Sequence, residues 1–338
     1  MMEVPKDTFD EIRAMYRGKA VCVTGGAGFI GGHIVDTLVA SGASVNIIDD
    51  LSNSTLDHLS DLVELQPDTV RFVYGSILDD RAINEAVDGC EIVLHLAALG
   101  SVPLSMKEPS RTFEVNASGT LRVLSAASRA GAKRVVLAAS SSAYGDPETL
   151  PCVESMPPIP MSPYAASKIT CEQLAHTWSN AFGLSTASLR YFNIFGPRQR
   201  ADSAYAAVVA AFASKLLKGE PPVIFGDGKQ SRDFTFISNA VYATLKAGAT
   251  STRLEGEVLN IGTGGSVTLI ELANAMSEII TGKPAEPIFE SPRDGDVRHS
   301  QADITRAQEI LGYQPIADLR EGLEQTCKWY RSMVGVEG

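Results

Sequence analysis

An α/β fold built on a doubly wound parallel sheet is what the sequence predicts, and three observations predict it. Five apolar runs of strand length, AVCVTG, SVNIIDD, VRFVYG, EIVLHLAA and RVVLAAS, alternate between Ala20 and about Ser140 with stretches of helical periodicity. Strands that apolar need cover on both faces, which crossover helices supply. The first run leads straight into a glycine-rich turn that opens a helix, and the second ends on an acid, Asp49. Right-handed crossovers then fix most of the topology.

Taken in order, the stretch Met1 to Arg17 carries acidic residues and no apolar segment, so it reads as a short amphipathic helix before the first strand, neither a secretion signal nor a membrane span. The turn is Gly25-Gly26-Ala27-Gly28-Phe29-Ile30-Gly31, a G-x-x-G-x-x-G pattern. Gly25 permits the tight bend, Gly28 lets the backbone approach a pyrophosphate, and Gly31 allows close packing of helix on strand. The helix N-terminus then faces the phosphates. A carboxylate at Asp49 accepts from a ribose 2′-hydroxyl and repels a 2′-phosphate, which favours NAD over NADP, and Asp50 is placed to share that role.

After Tyr144 the rhythm loosens into a long connection marked by Pro147, Pro151, Pro157, Pro158, Pro160 and Pro163, with a helix starting near Pro163. Loops of that length are usually functional. A strand (TASLRYFNIFG), a helix (Tyr205 to Lys218) and the segment PPVIFGDG follow, and mixed helix and strand run to the C-terminus. We expect residues 1–195 to form mainly the Rossmann NAD-binding domain, its first 17 residues a helical extension, and residues 196–338 mainly a smaller mixed α/β substrate-binding lobe, interleaved with the last sheet elements at about 233–265.

Composition narrows the function. With 338 residues, 44% hydrophobic and 20% charged, the chain has material for an ample core. A net charge of −11 repels phosphate backbones and anionic lipid, so neither nucleic acid nor a membrane is an expected partner. An anionic small ligand would need arginines and helix N-termini gathered in a pocket. Five scattered cysteines without metal-ligand spacing read as reduced thiols of a cytoplasmic protein with no metal site.

Two further patterns carry chemistry. Tyr164 and Lys168 form Y-x-x-x-K at the start of a helix, and that spacing puts both on one face. A free phenol, with a pKa of roughly 10, is a poor base near neutrality, and a neighbouring ammonium favours its phenolate. Upstream, Ser140-Ser141-Ser142 ends the fifth run, at the carboxyl edge where open α/β sheets bind ligands.

Through TGGAGFIG, LHLAALGSVP, SSSAYGD, SPYAASK, RYFNIFGPRQ, SRDFTFI and RDGDVRHSQAD, the chain resembles, over nearly its whole length, the nucleotide-sugar epimerases of the extended short-chain dehydrogenase/reductase superfamily. GSVP, AYAAVV and RDGDVRHS resemble most the bacterial UDP-N-acetylglucosamine 4-epimerases. The resemblance implies a UDP-hexose substrate, a bound NAD, and inversion at C4 through a 4-keto intermediate. It implies Tyr164 as base, Lys168 on the nicotinamide ribose, Ser140 nearest the reacting oxygen, and Ser141 and Ser142 on the sugar. Further NAD contacts would come from Gly25, Gly28, Phe29, Ile30, Gly31, Asp49, Asp50, Asn53, Ser54, Ser76, Ile77, Leu96, Ala97, Ala98 and Tyr191. Arg232 with Arg293 or Arg298 would clamp the diphosphate, Asn193 would add a hydrogen bond, Asp296 would meet the uridine ribose and Phe225 the uracil. Gly100, Ser101, Gln199, Ala207 and Val208 would shape the sugar pocket, and two helices per chain would pair in a homodimer.

Several positions refine the expectation. Ser300 stands where epimerases restricted to UDP-glucose and UDP-galactose carry a bulky tyrosine, which leaves room for an N-acetyl group and ranks UDP-N-acetylglucosamine/UDP-N-acetylgalactosamine ahead of UDP-glucose and UDP-glucuronate. Dehydratase relatives carry Asp-Glu where Ser141 and Ser142 stand, and the glutamate of the decarboxylases is missing from the same loop; a sugar-nucleotide 4,6-dehydratase and a UDP-glucuronate decarboxylase therefore rank last. Gly75-Ser76-Ile77 departs from the Gly-Asp-Ile that commonly holds the adenine amino group. His33, His95 and Trp178 are read as packing residues and Asn116 as a backbone anchor.

Overall fold

The structure, a computed structural model, describes residues 4–200, 207–292 and 297–334. Its strands are β1 (Ala20–Thr24), β2 (Ser44–Asp49), β3 (Val70–Tyr74), β4 (Ile92–His95), β5 (Arg134–Ser140), β6 (Ser185–Tyr191), β7 (Ile194–Phe195), β8 (Val223–Phe225), β9 (Ser231–Arg232), β10 (Thr235–Phe236), β11 (Glu255–Ile261), β12 (Val267–Thr268) and β13 (Ile288–Glu290). Seven of them form one sheet in the order β11-β6-β5-β4-β1-β2-β3, parallel throughout. The five apolar runs are its first five strands. From β1 the chain winds outward to β2 and β3, then returns to β4 and winds the other way, so the crevice between the carboxyl ends of β1 and β4 is the topological switch point.

Alternate residues of β1 serve opposite faces, as a strand's two-residue period dictates. Val21 and Val23 pack with Ile34, Leu38 and Leu245, while Cys22 packs with Ile83, Val93 and Leu124. All five cysteines are buried and free. Short pairs hold the second lobe: β7 with β10, β8 with β13, and β9 antiparallel to β12. β11, residues 255–261, joins the main sheet beside β6.

The helix Pro163–Phe182 has complete punctuation. Ser162 caps it by accepting from Ala165 N at 3.1 Å, proline occupies its first turn, and Gly183 closes it at φ 71°. The N-terminal helix is Lys6–Tyr16; Tyr16 is wholly buried and donates to Leu245 O at 2.8 Å, and Glu11 accepts from Lys246 and Tyr242 at 2.8 and 2.7 Å. Of the helix expected from Tyr205, the described part is Val208–Leu217. No described helix is long and apolar enough to cross a membrane.

Candidate active site

At the switch point the glycine turn is fixed by contact distances. Gly25 sits at φ 70°, and a Cβ there would lie 2.7 Å from Ala97 N; a Cβ on Gly31 would lie 2.1 Å from Gly25 O. Neither site admits a larger residue. Gly28 caps the helix Phe29–Ala40 without any side-chain hydrogen bond, so the first-turn N–H groups at Phe29 and Ile30 are offered to a ligand. The cradle therefore fits a dinucleotide pyrophosphate.

Asp49 is more occupied than a carboxylate reserved for ribose. Its Oδ2 accepts from Ala27 N at 3.0 Å, and its Oδ1 accepts from Leu51 N and Ser54 Oγ, both at 2.9 Å. A carboxylate has about four acceptor positions, so capacity for a ribose hydroxyl survives, while the Ser54 hydroxyl is already committed. Asp50 and Asn53 are exposed, Asp50 accepting from Ser52 N at 3.0 Å. Ser76 Oγ accepts from Leu78 N at 3.3 Å, and Ile77 is buried beneath Gly119. Leu96, Ala97 and Ala98 lie half-buried after β4, the first two bonded through their amides to Thr24.

The catalytic candidates meet across two elements. Ser140 ends β5 and its Oγ accepts from Ser142 N and Ser142 Oγ at 3.2 and 2.9 Å, opening a 3₁₀ turn, Ser141–Tyr144. Lys168 Nζ donates to Ala138 O at 2.7 Å and lies 5.9 Å from the Tyr164 ring centroid. One lysine thus joins the tyrosine helix to the strand that delivers Ser140. Tyr191 corrects the expectation: it pairs with Ser140 in the sheet, but its hydroxyl turns into the core onto Thr244 Oγ1 at 2.7 Å, where burial raises its pKa. Only its main chain is left to face a cofactor.

His95 and Asn116 are supports, as read. His95 bridges Thr24 and Thr120 at 2.6 and 2.9 Å, and burial, aided by the charge of Lys168, lowers its pKa to about 3. Asn116 binds Leu99 N, Leu99 O and Ser167 Oγ.

On the other side, Asn193 sits at φ 31° and its carbonyl accepts from Thr235 N at 3.2 Å. Gln199 Nε2 donates to Ile194 O at 3.1 Å. Gly100 and Ala207 are exposed, Ser101 caps a short helix, Ser141 and Val208 are half-buried, and Phe225 ends β8 half-buried. Arg232 donates to Ser231 O at 2.9 Å and to Arg298 O at 3.3 Å, and Ser300 N donates to Ser231 O at 3.0 Å, so β9 aligns Arg232 and Ser300. Arg298 does not join them as a second clamp: both its terminal nitrogens donate to Asp227 at 2.8 Å, in a half-exposed pair. Arg293 and Asp296 lie outside the described residues.

One anchor escaped the sequence reading. Asp233, fully buried next to Arg232, accepts from Thr263 N, Thr263 Oγ1, Gly264 N, Ala302 N and Thr235 Oγ1. Burial raises its pKa against these donors. It ties the segment bearing Ser300 to β9. Its only sequence signal was adjacency to Arg232 in SRDF.

A glycine-turn dinucleotide cradle and a Ser–Tyr–Lys set on one carboxyl edge define an oxidoreductase-type site of the short-chain class. The chain matches the NAD dependent epimerase/dehydratase family over residues 21–262 and belongs to that family, whose cofactor NAD is the one this cradle fits. It is 39% identical to the UDP-glucose 4-epimerase of Mycolicibacterium smegmatis, over 92% of this chain and 98% of that one. The UDP-N-acetylglucosamine 4-epimerase of Methanobrevibacter ruminantium, solved with UDP-N-acetylmuramic acid, superposes with a TM-score of 0.87 at 36% identity, over 94% of this chain and 99% of that one. The UDP-glucuronic acid 4-epimerase of Bacillus cereus, solved with UDP-glucuronic acid and NAD, gives 0.85 at 31% identity, over 93% and 99%.

Proposed function

We propose that this NAD-dependent UDP-sugar 4-epimerase acts on UDP-N-acetylglucosamine and UDP-N-acetylgalactosamine. The observation that carries the sugar preference is Ser300, a small side chain whose main chain is fixed to β9 through Ser231, in a place where a bulky residue would crowd the C2 substituent. Epimerisation rather than elimination is supported by Ser141 and Ser142, hydroxyls where elimination requires an acid and a base.

In this reading Tyr164 takes the proton of the C4 hydroxyl, Ser140 holds that oxygen, and Lys168 keeps Tyr164 in register with β5. NAD, held by the glycine turn, would supply the hydride acceptor and donor for C4. The 4-keto sugar turns over between the two transfers so that its opposite face receives the hydride, and Tyr164 gives the proton back to the C4 oxygen. Arg232 neutralises diphosphate charge, with Arg293 and Asp296 as its expected companions. Residues 1–195 would serve NAD and 196–338 the nucleotide sugar. A homodimer through the helices Gly119–Arg129 and Pro163–Phe182 is part of the same reading, supported by their exposed Leu121 and Phe182, as is a cytoplasmic location, supported by the free cysteines.

The test is incubation without added NAD with UDP-N-acetylglucosamine, UDP-glucose and UDP-glucuronate in turn, products resolved by anion exchange and mass. A C4 epimer of unchanged mass, formed faster from the acetylated sugar, is expected. A faster rate on UDP-glucose would overturn the Ser300 argument, and loss of carbon dioxide from UDP-glucuronate would replace epimerase by decarboxylase.

A further inference from the structure

One buried polar cluster is used by none of the roles above. Tyr144 closes the serine turn, is 3% exposed, and donates to Asn260 Oδ1 at 2.6 Å. Burial pushes its phenol up to about 12, so the hydroxyl stays a donor. The Arg190 guanidinium lies 4.6 Å from the centroid of the Tyr144 ring, and its Nε and Nη2 each donate to Glu172 at 2.8 Å. The Arg190 and Glu172 side chains are 4% and 2% exposed. Beyond Glu172, what Arg190 faces is Tyr144, its ring and its hydroxyl. Asn260 in turn donates through Nδ2 to Cys152 O and Asp303 O at 2.9 and 3.1 Å, and through its amide to Glu154 Oε1 at 2.7 Å.

The placement of this chain of contacts matters more than its strength. Glu172 lies one turn beyond Lys168 and two beyond Tyr164 on the same helix. Arg190 pairs with Ala139, next to Ser140. Asn260 belongs to β11 and reaches Asp303, close to Ser300. A buried ion pair is a poor way to gain stability, since apolar side chains of equal volume hold as well; its better attested use is to fix one arrangement over its neighbours. Here the fixed arrangement is the height of the serine turn over the tyrosine helix.

We propose that Tyr144 is a positioning residue of the epimerase reaction, holding Ser140 at the one separation from Tyr164 that lets both side chains meet a single sugar oxygen. The proposal rests on the roles given to Ser140 and Tyr164 above. A misplacement of about 1 Å costs as much as 100-fold in rate, whereas ground-state binding of the nucleotide, made elsewhere, is unaffected.

Tyr144→Phe keeps the ring over Arg190 and removes only what the hydroxyl does, its hydrogen bond to Asn260 and its polar contact with Arg190. It should lower kcat by about 10- to 100-fold while KM for the nucleotide sugar stays within about threefold, bound NAD stays stoichiometric, and the melting temperature moves by a few degrees at most. Combined with Ser140→Ala, it should add nothing to the loss from Ser140→Ala alone, because both act through one contact. Asn260→Ser, which breaks the same hydrogen bond from its other end, should reproduce the split if the phenylalanine variant folds poorly. Wild-type kcat in both variants, a parallel loss of NAD and KM, or multiplicative losses in the double variant would overturn the positioning role. A wild-type protein that epimerises no nucleotide sugar would instead overturn the reading beneath it.

Discussion

Around the carboxyl ends of β1 and β4 the ligand surface is made of backbone: Gly25 and Gly31 pressed against their neighbours, an uncapped helix N-terminus, and Asp49 tying the turn to residues 51–54. Around β9, where the proposed function puts the nucleotide sugar, it would be made of side chains, Arg232 on a two-residue strand and Arg298 held by Asp227 in a half-exposed pair. A backbone site is complete once the fold is complete, and any added atom meets main chain. A side-chain site tolerates change and can trade partners, but its affinity depends on how each charge is held. The first suits a cofactor that stays, the second a substrate that must leave.

The sharpest way to break this contrast is Gly31→Ala. Its Cβ would stand 2.1 Å from Gly25 O, an overpacking that costs about 1–3 kcal/mol, and co-purifying NAD should fall at least tenfold on the estimate that the turn must open (~1.4 kcal/mol per decade). Full NAD content in the purified variant would show the turn to be pliable after all. Arg232→Ala should come next, raising KM for the UDP-sugar by about 10- to 100-fold, the loss expected of a hydrogen bond to a charged group, with NAD content and melting temperature near wild type.

The cofactor half should also be the acid-labile one. His95 is held neutral with a pKa near 3 against an ordinary 6.5. The unfolded chain therefore takes up the proton first as pH falls, so the stability that neutral His95 contributes is whole above pH 6.5 and drains between 6.5 and 3. By pH 5 about 2 kcal/mol should be gone. His95→Gln should make that limb shallower in thermal melts run from pH 7.5 to 5, leaving the share of His33, whose pKa burial lowers to about 4; an unchanged slope would assign the acid sensitivity elsewhere. The smallest effect belongs to Arg298→Ala, since an exposed ion pair contributes about 0–1 kcal/mol: KM should move less than threefold. A rise matching that of Arg232→Ala would mean Arg298 leaves Asp227 for the substrate.

What the sequence disclosed follows the same division. The parallel sheet, the glycine turn and the Tyr164–Lys168 helix were legible because each is a local pattern: a run of apolar residues, a fixed glycine spacing, a helical repeat. The two-residue strands β7, β9, β10 and β12 leave no period to detect. Asp233, Asn260 and the Arg190–Glu172 pair were invisible for another reason, since each polar residue is explained mainly by partners 18 to 116 positions away. For Tyr191 the sequence showed the position in β6 beside Ser140 but not that the strand's alternation sends its ring into the core. The pairing of Arg298 was likewise hidden, because nothing near it in sequence announces Asp227, 71 positions earlier.

The clasp of the N-terminal helix has a consequence for synthesis. Tyr16 is separated by 229 residues from Leu245, whose carbonyl it binds. At a ribosomal pace of about 5–20 residues per second, Tyr16 waits roughly 10–50 s for its socket to be made. Helix Lys6–Tyr16 therefore leaves the ribosome long before the surface that buries it, and docks only after six of the sheet's seven strands have been spun out. A segment translated early is among the last to be seated.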